Sequence, residues 1–475
     1  MMAPSLHPEP VRAPCEPRRR WGFGLTPRAI GLLLVGFAWL VPGFWQSNLS
    51  YAMVAWDGLV LLAALWDGRR LPRERELIAE RKWASALSLD SATEVELTIE
   101  NQGRLVVQCR LVDDLPAALV AQVVTHTVTA FPRAPATVRY RLEPSERGDW
   151  QTGWLYVRYR SPLGLVERWA KARLVQRVRV YPALRQGEEQ QIFLARSRQL
   201  ELQLRRAQQR GMGRDFESLR EYREGDDLRD ICWTATARRG SPIARQYQTE
   251  RSQAVWVVLD CGRLMRARVA AAASRVSALP MAEGRPRVHS KLDFACTTAV
   301  ALAQLALYSG DRVGLLAYGQ GVQQRLLPGR GAAHLRQIIE ALAQVRAETS
   351  EADHLRATAV LNRWQPRRGL ILWITDLAET AMRPEVVDGA MQLLRRHVLL
   401  FVAMAQPEVE QIAQRHPKDV EQMFLSAAAQ QMASRRELML ARLQEQGALT
   451  MDAHPEALTS RVLNQYLSVK ERALV

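Results

Sequence analysis

Residues 211–260 read GMGRDFESLREYREGDDLRDICWTATARRGSPIARQYQTERSQAVWVVLD. Gly211 and Gly213 lead into Phe216, Leu219, Arg220 and Tyr222, after which Gly225, Asp226 and Asp227 form a turn signal. Arg229 to Arg239 follows with Trp233 inside it, and the stretch closes on Val255-Trp256-Val257-Val258-Leu259-Asp260. An unbroken apolar run ended by a carboxylate predicts a strand buried on both faces. It sets Asp260 at the strand's carboxyl end, where an open α/β sheet presents its binding crevice.

Downstream the pattern alternates. An Ala- and Arg-rich insertion, Arg263 to Ser290, separates the first strand from a buried helix over Leu292 to Tyr308. Arg312 to Tyr318 predicts a strand, Val322 to Leu327 an edge strand, and Leu335 to Val345 and Leu355 to Trp364 helices. Gly369 to Thr375 reads as a strand ended by Asp376, and His397 to Ala403 as another. Pro407 to Gln446 is charged and helical with a break at Pro417, and Val409, Ile412, Val420, Met423, Phe424 and Leu425 give it a buried face. Within it, Ala427 to Leu443 is a candidate interaction helix; Ala448 to Ala453 and Pro455 to Leu467 add a last strand and helix. Strands alternating with helices predict a parallel sheet covered on both faces, a Rossmann-type head over residues 245–475.

The order Gly-x-Gly, Phe, Leu-Arg-x-Tyr, Gly-Asp, Arg-x-Ile-x-Trp, Ala-Arg is carried by Gly211, Gly213, Phe216, Leu219, Arg220, Tyr222, Gly225, Asp226, Arg229, Ile231, Trp233, Ala237 and Arg238. It resembles the signature of the bacterial family called domain of unknown function fifty-eight, which joins this segment to a von Willebrand factor A-like domain. The resemblance extends loosely from about Arg28 to the C-terminus. It implies a von Willebrand A-like fold for the head. Because such proteins are commonly encoded beside MoxR-type AAA+ ATPases, it also implies such an ATPase as partner, in assembly or maturation of proteins at a membrane.

In that fold class a metal-ion-dependent adhesion site combines an Asp-x-Ser-x-Ser loop, a threonine and a further aspartate around a hard octahedral cation such as Mg²⁺. Here the first loop is Asp260-Cys261-Gly262-Arg263-Leu264, so Gly262 and Leu264 replace both hydroxyls. Asp376 takes the third-loop position, and no threonine stands clearly in the second, where Pro328 to Gly331 turns. Two carboxylates alone hold Mg²⁺ weakly. The expectation is a vestigial metal site at Asp260 and Asp376 with no cofactor, Arg263 pairing with one of them as a charge substitute, and Mg²⁺ as the alternative.

The signature segment itself supports two readings. As a structural clamp, Phe216, Leu219, Tyr222, Ile231 and Trp233 pack it onto the sheet while Arg220, Asp226, Asp227 and Arg229 fix its turn by ion pairs. As a partner or ligand site, Gly211 and Gly213 expose amides, and Arg220, Arg229, Arg238 and Arg239 offer guanidinium forks to carboxylates or phosphates. It is no P-loop, lacking Gly-Lys-Ser/Thr, and no dinucleotide fingerprint, lacking a third glycine and a preceding strand.

The rest of the chain bounds the context. A net charge of +16 carried by arginine, with only five lysines among 65 basic residues, could attract anionic partners, but the arginines are scattered among acids. Without clustered lysines and interleaved aromatics, a nucleic-acid groove is excluded as the main reading. Five cysteines without a C-x-x-C pair predict reduced thiols, and eight histidines show no ligand spacing.

Residues 1–28 read as a disordered basic tail. Ala29 to Trp45 and Tyr51 to Trp66 read as a transmembrane helical hairpin within residues 29–66, with Asp57 inside the second span. Arg18 to Arg20 and Arg28 flank it on one end, Arg69, Arg70, Arg73, Arg75, Arg81 and Lys82 on the other. Positive charge at both ends places the chain in the inner membrane as a multi-pass protein with its soluble domains in the cytoplasm. A cleaved signal peptide is the competing reading. Residues 84–182 alternate with period two, for example Thr93 to Ile99, Leu105 to Val112, Thr137 to Leu142 and Trp154 to Tyr159, which predicts an antiparallel β-sandwich. Residues 186–244 hold a linker with helical tendency and the signature segment.

The function expected from these features is that of a non-enzymatic, membrane-anchored adaptor or scaffold whose head docks protein partners. The alternatives are an enzyme using Cys232 or Cys261 as nucleophile, or metal-dependent adhesion outside the cell with the topology reversed.

Overall fold

The computed structural model describes residues 8–18, 22–39, 50–120, 125–183, 215–222, 231–248, 253–271, 287–377 and 385–472. The chain divides into two units, Met1–Ala183 and Leu184–Val475.

The first unit is built on strands β1 (Val11–Pro17), β2 (Phe23–Leu25), β3 (Leu77–Trp83), β4 (Leu87–Ser88), β5 (Thr93–Asn101) and β6 (Val107–Asp113). They are followed by β7 (Thr125–Ala130), β8 (Pro135–Leu142), β9 (Gly148–Gln151), β10 (Leu155–Arg160), β11 (Val166–Ala172) and β12 (Arg177–Tyr181). Alternate side chains of β3, β5, β6 and β10 are buried, so each strand gives one face to the core and one to water. The main sheet runs β7-β6-β10-β11-β1-β3-β5-β8, and a second short sheet runs β4-β12-β9.

The domain therefore reaches beyond the expected 84–182, and residues 11–17 are not a disordered tail. Val11 to Pro14 of β1 pair antiparallel with β3, and Cys15 to Pro17 pair with β11, so one strand stitches two groups of strands together. Val11, Ala13 and Cys15 face the core while Arg12 and Glu16 face out. The alternation is present in the sequence, but Pro14 and Pro17 read as breakers and conceal it.

Between β2 and β3 lie α1 (Pro27–Gly36), capped by Thr26, and α2 (Ser50–Arg70). Trp56 donates to the Leu32 carbonyl at 2.8 Å, and Gly36 lies so close to Asp57 that a Cβ there would sit 2.4 Å from its carboxylate. The lower end of α2 is held to the strands by Asp67, which accepts from the amides of Leu163 and Leu165 at 3.4 and 3.3 Å. Among the described residues, one segment, Tyr51–Glu76, is long and apolar enough to cross a membrane. As described, α1 has ten residues and falls short of that; residues 40–45 of the expected first span lie outside the described residues.

In the unit's core, Arg81 forks onto both oxygens of Asp113 and donates to Thr152 Oγ1 at 2.8 Å and the Leu174 carbonyl at 2.7 Å. Tyr140 donates to the same carboxylate at 2.6 Å.

The second unit opens with β13 (Asp215–Glu221), α3 (Trp233–Arg239) and β14 (Ile243–Gln248), where β13 and β14 pair antiparallel. Arg245 thus lies inside this hairpin, and the head proper starts at β15 (Ala254–Asp260). The insertion after it contains an antiparallel pair, β16 (Arg268–Ala271) and β17 (Arg287–Ser290). There follow α4 (Lys291–Tyr308), β18 (Arg312–Tyr318), β19 (Val322–Gly329), α5 (Gly331–Gln344), α6 (His354–Trp364) and β20 (Leu370–Thr375). The chain ends in α7 (Glu385–Leu394), β21 (Val398–Met404), α8 (Pro407–Gln414), α9 (Val420–Glu445), β22 (Leu449–Ala453) and α10 (Leu458–Glu471). The linker expected over 186–210 lies outside the described residues.

The sheet runs β19-β18-β15-β20-β21-β22, parallel except for edge strand β19. Every residue of β15 is buried, as an unbroken apolar run requires of a strand with helices on both faces. Trp256 and Val258 pack with Ala357 and Leu361 of α6, Val386 and Leu393 of α7 and Leu443 of α9. Val255, Val257 and Leu259 point the other way, toward the face that α4 covers. Strand order grows outward in opposite directions from β15 and β20, a doubly wound α/β domain with its switch point between them, the architecture expected of a von Willebrand A-like head.

One expected face is overturned. Val420, Met423, Phe424 and Leu425 are exposed, Phe424 by 68%, and Ile412 is exposed too. Three consecutive residues at about 100° each cannot share one helix face. Instead, Ser426, Ala429, Met439 and Leu443 are the buried residues of α9.

Candidate functional site

The two central strands deliver a carboxylate each to the switch point: Asp260 is the last residue of β15, and Asp376 follows directly on β20. Asp260 is buried. It accepts from the Gly262 amide at 2.7 Å and from Thr375 Oγ1 at 2.6 Å. Burial raises its carboxyl to about 6, against the lowering effect of those two bonds and with help from the charges of Asp376 and Glu348.

Asp376 is buried as well. Lys291 Nζ lies 2.5 Å from its Oδ2, and Gln406 Nε2 lies 3.0 and 3.1 Å from its two oxygens. Arg436 comes within 3.7 Å while forking onto Asp452 at 2.9 and 2.8 Å. Lys291 is fixed by a helix start. Ser290 Oγ accepts from the Asp293 amide at 3.2 Å, the Asp293 carboxylate accepts from the Ser290 amide at 3.1 Å, and this capping box makes Lys291 the first residue of α4.

Above these residues lies a cleft of about 600 Å³ lined by Asp260, Gly262, Arg263, Glu351, Asp353, His354 and Glu385, among others. Its roof, residues 348–353, is clipped to the Asp260 loop: Glu348 N donates to Cys261 O at 2.7 Å and Arg263 N to Ser350 O at 2.8 Å. Asp353 caps α6 through the Arg356 amide at 2.8 Å, which sets His354 at the cleft wall. Trp373 Nε1 donates to Tyr318 OH at 2.7 Å, and Tyr318 OH shares a hydrogen bond with His354 Nδ1 at 2.9 Å. Burial lowers the His354 pKa to about 4, so the ring is neutral at pH 7.

These two titrations oppose each other. The Asp260 value in the fold lies above the unfolded value of about 3.9, so its contribution is present in acid and lost as pH rises through about 6. The His354 value lies below the unfolded value of about 6.5, so its contribution is present near neutrality and lost as pH falls through about 4. Each amounts to about 3 kcal/mol, and they offset one another between pH ~4 and ~6. Asp260→Asn is expected to lose stability on acidification more steeply than wild type, and His354→Gln less steeply. Urea unfolding from pH 7 to 4 checks this; parallel profiles for all three proteins would refute it.

The residues do not fit a divalent metal. Gly262 and Leu264 bring no hydroxyl, and a Cβ at Gly262 would lie 2.9 Å from the Ala352 amide, so a serine there has no room. Pro328 to Gly331 cannot supply a ligand, because Gly329 pairs with Val313 at the amino end of β18, the far edge of the sheet. Among the described residues no group of three His, Cys, Asp or Glu is disposed to hold a metal. A cation already faces Asp376, and near it a second is opposed by about 4 kcal/mol per unit charge at ~4 Å and an effective dielectric of ~20. That cation is Lys291. The expected charge substitute, Arg263, stands exposed on the rim.

Among the described residues, none of the signature segment lines the cleft. Gly211, Gly213, Gly225, Asp226, Asp227 and Arg229 fall outside the described residues, and Phe216 is on β13. Tyr222 N donates to Pro242 O at 2.9 Å and Cys232 N to Ile243 O at 2.8 Å, which closes the hairpin over buried Ile231. Trp233, 70% exposed, and Leu219 do not pack onto the sheet as the clamp reading expected; Arg238 is exposed and Arg220 donates to its neighbour's carbonyl, Glu221 O, at 3.3 Å.

All five thiols are buried, including Cys232 and Cys261. Burial pushes Cys15 and Cys109 up to about 12, and the proximity of the two thiols adds to the rise at Cys15. Against a free thiol near 8.5, that cuts the thiolate fraction at neutral pH roughly thousandfold. Iodoacetamide at pH 7 is expected to label all five slowly in the folded protein and quickly in urea. Rapid labelling of Cys232 or Cys261 in the fold would revive the nucleophile reading.

Comparison with known proteins agrees with the signature. Residues 218–437 match the family model described as "Protein of unknown function DUF58". An uncharacterized protein of Mycobacterium tuberculosis is 25% identical over 201 residues, 42% of this chain and 56% of that protein. The chain thus spans little more than half the length of the curated relatives it matches. Among solved structures, the conserved hypothetical protein BatB from Bacteroides thetaiotaomicron is 13% identical, covering 46% of this chain and all of that one, with a TM-score of 0.27. A von Willebrand factor type A protein from Catenulispora acidiphila is 10% identical, covering 48% and 44%, with a TM-score of 0.27. Overlap this low leaves the fold to be read from the chain's own strand order.

Proposed function

We propose that this protein is a membrane-anchored adaptor without chemistry of its own, whose head docks a protein partner at the cleft above Asp260 and Asp376. The observation that carries this is the state of the two carboxylates. Both line the cleft yet are buried and bonded to Thr375, Gly262, Lys291 and Gln406, so the switch-point groups are held in place by the protein's own donors. A site held in that way suits rigid recognition of a surface better than proton transfer.

The resemblance to domain-of-unknown-function-fifty-eight proteins favours a MoxR-type AAA+ ATPase as the partner, in assembly or maturation of proteins at the membrane. The pairing of β1 with β3 favours the hairpin anchor. These strands flank α1 and α2 in sequence yet are neighbours in one sheet, so the chain returns to the side it left. An even number of crossings follows, and one long span alone does not satisfy it. Apolar side chains of both helices, among them Leu34, Val35, Val54, Leu59, Leu62 and Leu65, are exposed and suit lipid. Arginines at both flanks favour a cytoplasmic head.

The test is affinity isolation of tagged full-length protein from its own membranes, with and without ATP, followed by mass spectrometry. Glu351→Lys with Glu385→Lys reverses charge on the cleft lining at exposed positions. Recovery of an AAA+ ATPase by wild type and its loss with this pair is the expected result; no ATPase under either nucleotide condition would remove that partner.

A further inference from the structure

The carboxyl edge of the sheet carries its own cation. Lys291 Nζ and Asp376 Oδ2 are 2.5 Å apart with the two side chains 2% and 0% exposed, on a chain that has only five lysines. The placement is deliberate in its local chemistry. A positive side chain in the first turn of a helix is opposed by the helix dipole, yet the Ser290–Asp293 capping box fixes Lys291 there. Gln406 and Arg436 approach the same carboxylate from other elements, and the position of the first loop serine is closed by the Ala352 amide.

We infer that Lys291 is the resident counter-ion of Asp376, the carboxylate that a von Willebrand A-type site would offer to a divalent metal, and that the cleft operates without one. The consequence is chemical. A bound Mg²⁺ keeps an open coordination position for a partner's carboxylate. A buried ammonium already paired with Asp376 has none, so recognition at this cleft does not pass through a shared metal. The inference holds whether or not the cleft docks a partner.

Full-length protein titrated with Mn²⁺, followed by calorimetry and by the paramagnetic resonance of the free ion, tests it. Wild type is expected to show no specific binding. Lys291→Ala, which removes the ammonium from Asp376, is expected to bind Mn²⁺ at least about tenfold more tightly than wild type, equal to about 1.4 kcal/mol. Because that variant is less stable, thermal melting is measured alongside. Mn²⁺ should raise the melting temperature of Lys291→Ala and leave wild type unmoved. Low-micromolar binding by wild type that is lost in Asp260→Ala overturns the inference, and so does a Lys291→Ala melt that Mn²⁺ does not shift.

Discussion

Lys291→Met is expected to destabilise the Leu184–Val475 unit by about 3–5 kcal/mol, the loss typical when one partner of a buried ion pair is removed. The methionine fills the space of the lysine stem but leaves the buried carboxylate of Asp376 without its ammonium. Gln406 and Arg436 remain, at 3.0 and 3.7 Å, and blunt the loss without replacing the ammonium. Adding Asp376→Asn removes the stranded charge, so the double variant should regain most of the stability. Urea unfolding of wild type, both single variants and the double variant measures the coupling. A single variant within about 1 kcal/mol of wild type would mean that the pair is not formed in solution.

Arg81→Met is expected to have an effect of the same order, about 3–5 kcal/mol, in the other unit. There one guanidinium serves three groups. It forks onto Asp113, which also receives Tyr140, and it reaches Thr152 and the Leu174 carbonyl, tying β3 and β6 to the turns that flank β10 and β11. Arg81→Lys keeps the charge but cannot reproduce the planar fork, so most of the loss should persist. Equal stability of Arg81→Lys and wild type would show that charge alone is required.

Much of the head is legible in the sequence because its parallel strands include unbroken apolar runs, two of them ended by aspartates. Val255 to Asp260 and Gly369 to Asp376 read as strands that carry carboxylates at their carboxyl ends; that they lie side by side at the switch point comes from the strand order. Lys291 was not found. Its signal is local, a Ser-Lys-Leu-Asp capping box with a lysine where the helix dipole disfavours one, and it becomes meaningful only when α4 is laid beside β20. The relay from Trp373 through Tyr318 to His354 joins three distant segments, and no spacing announces it. Two other expectations fail for plain physical reasons. Prolines mask the alternation of β1, and the apolar triplet Met423 to Leu425 winds around the helix instead of sharing one face.

The docking claim is tested most directly by a photo-cross-linking residue placed in the living cell at Glu351, on the cleft lining, and separately at Arg396, exposed just before β21 at the opposite edge of the sheet. A discrete cross-linked partner from position 351 that is absent from position 396 is the predicted result. No product from position 351, or the same products from both, would contradict a docking site at this cleft.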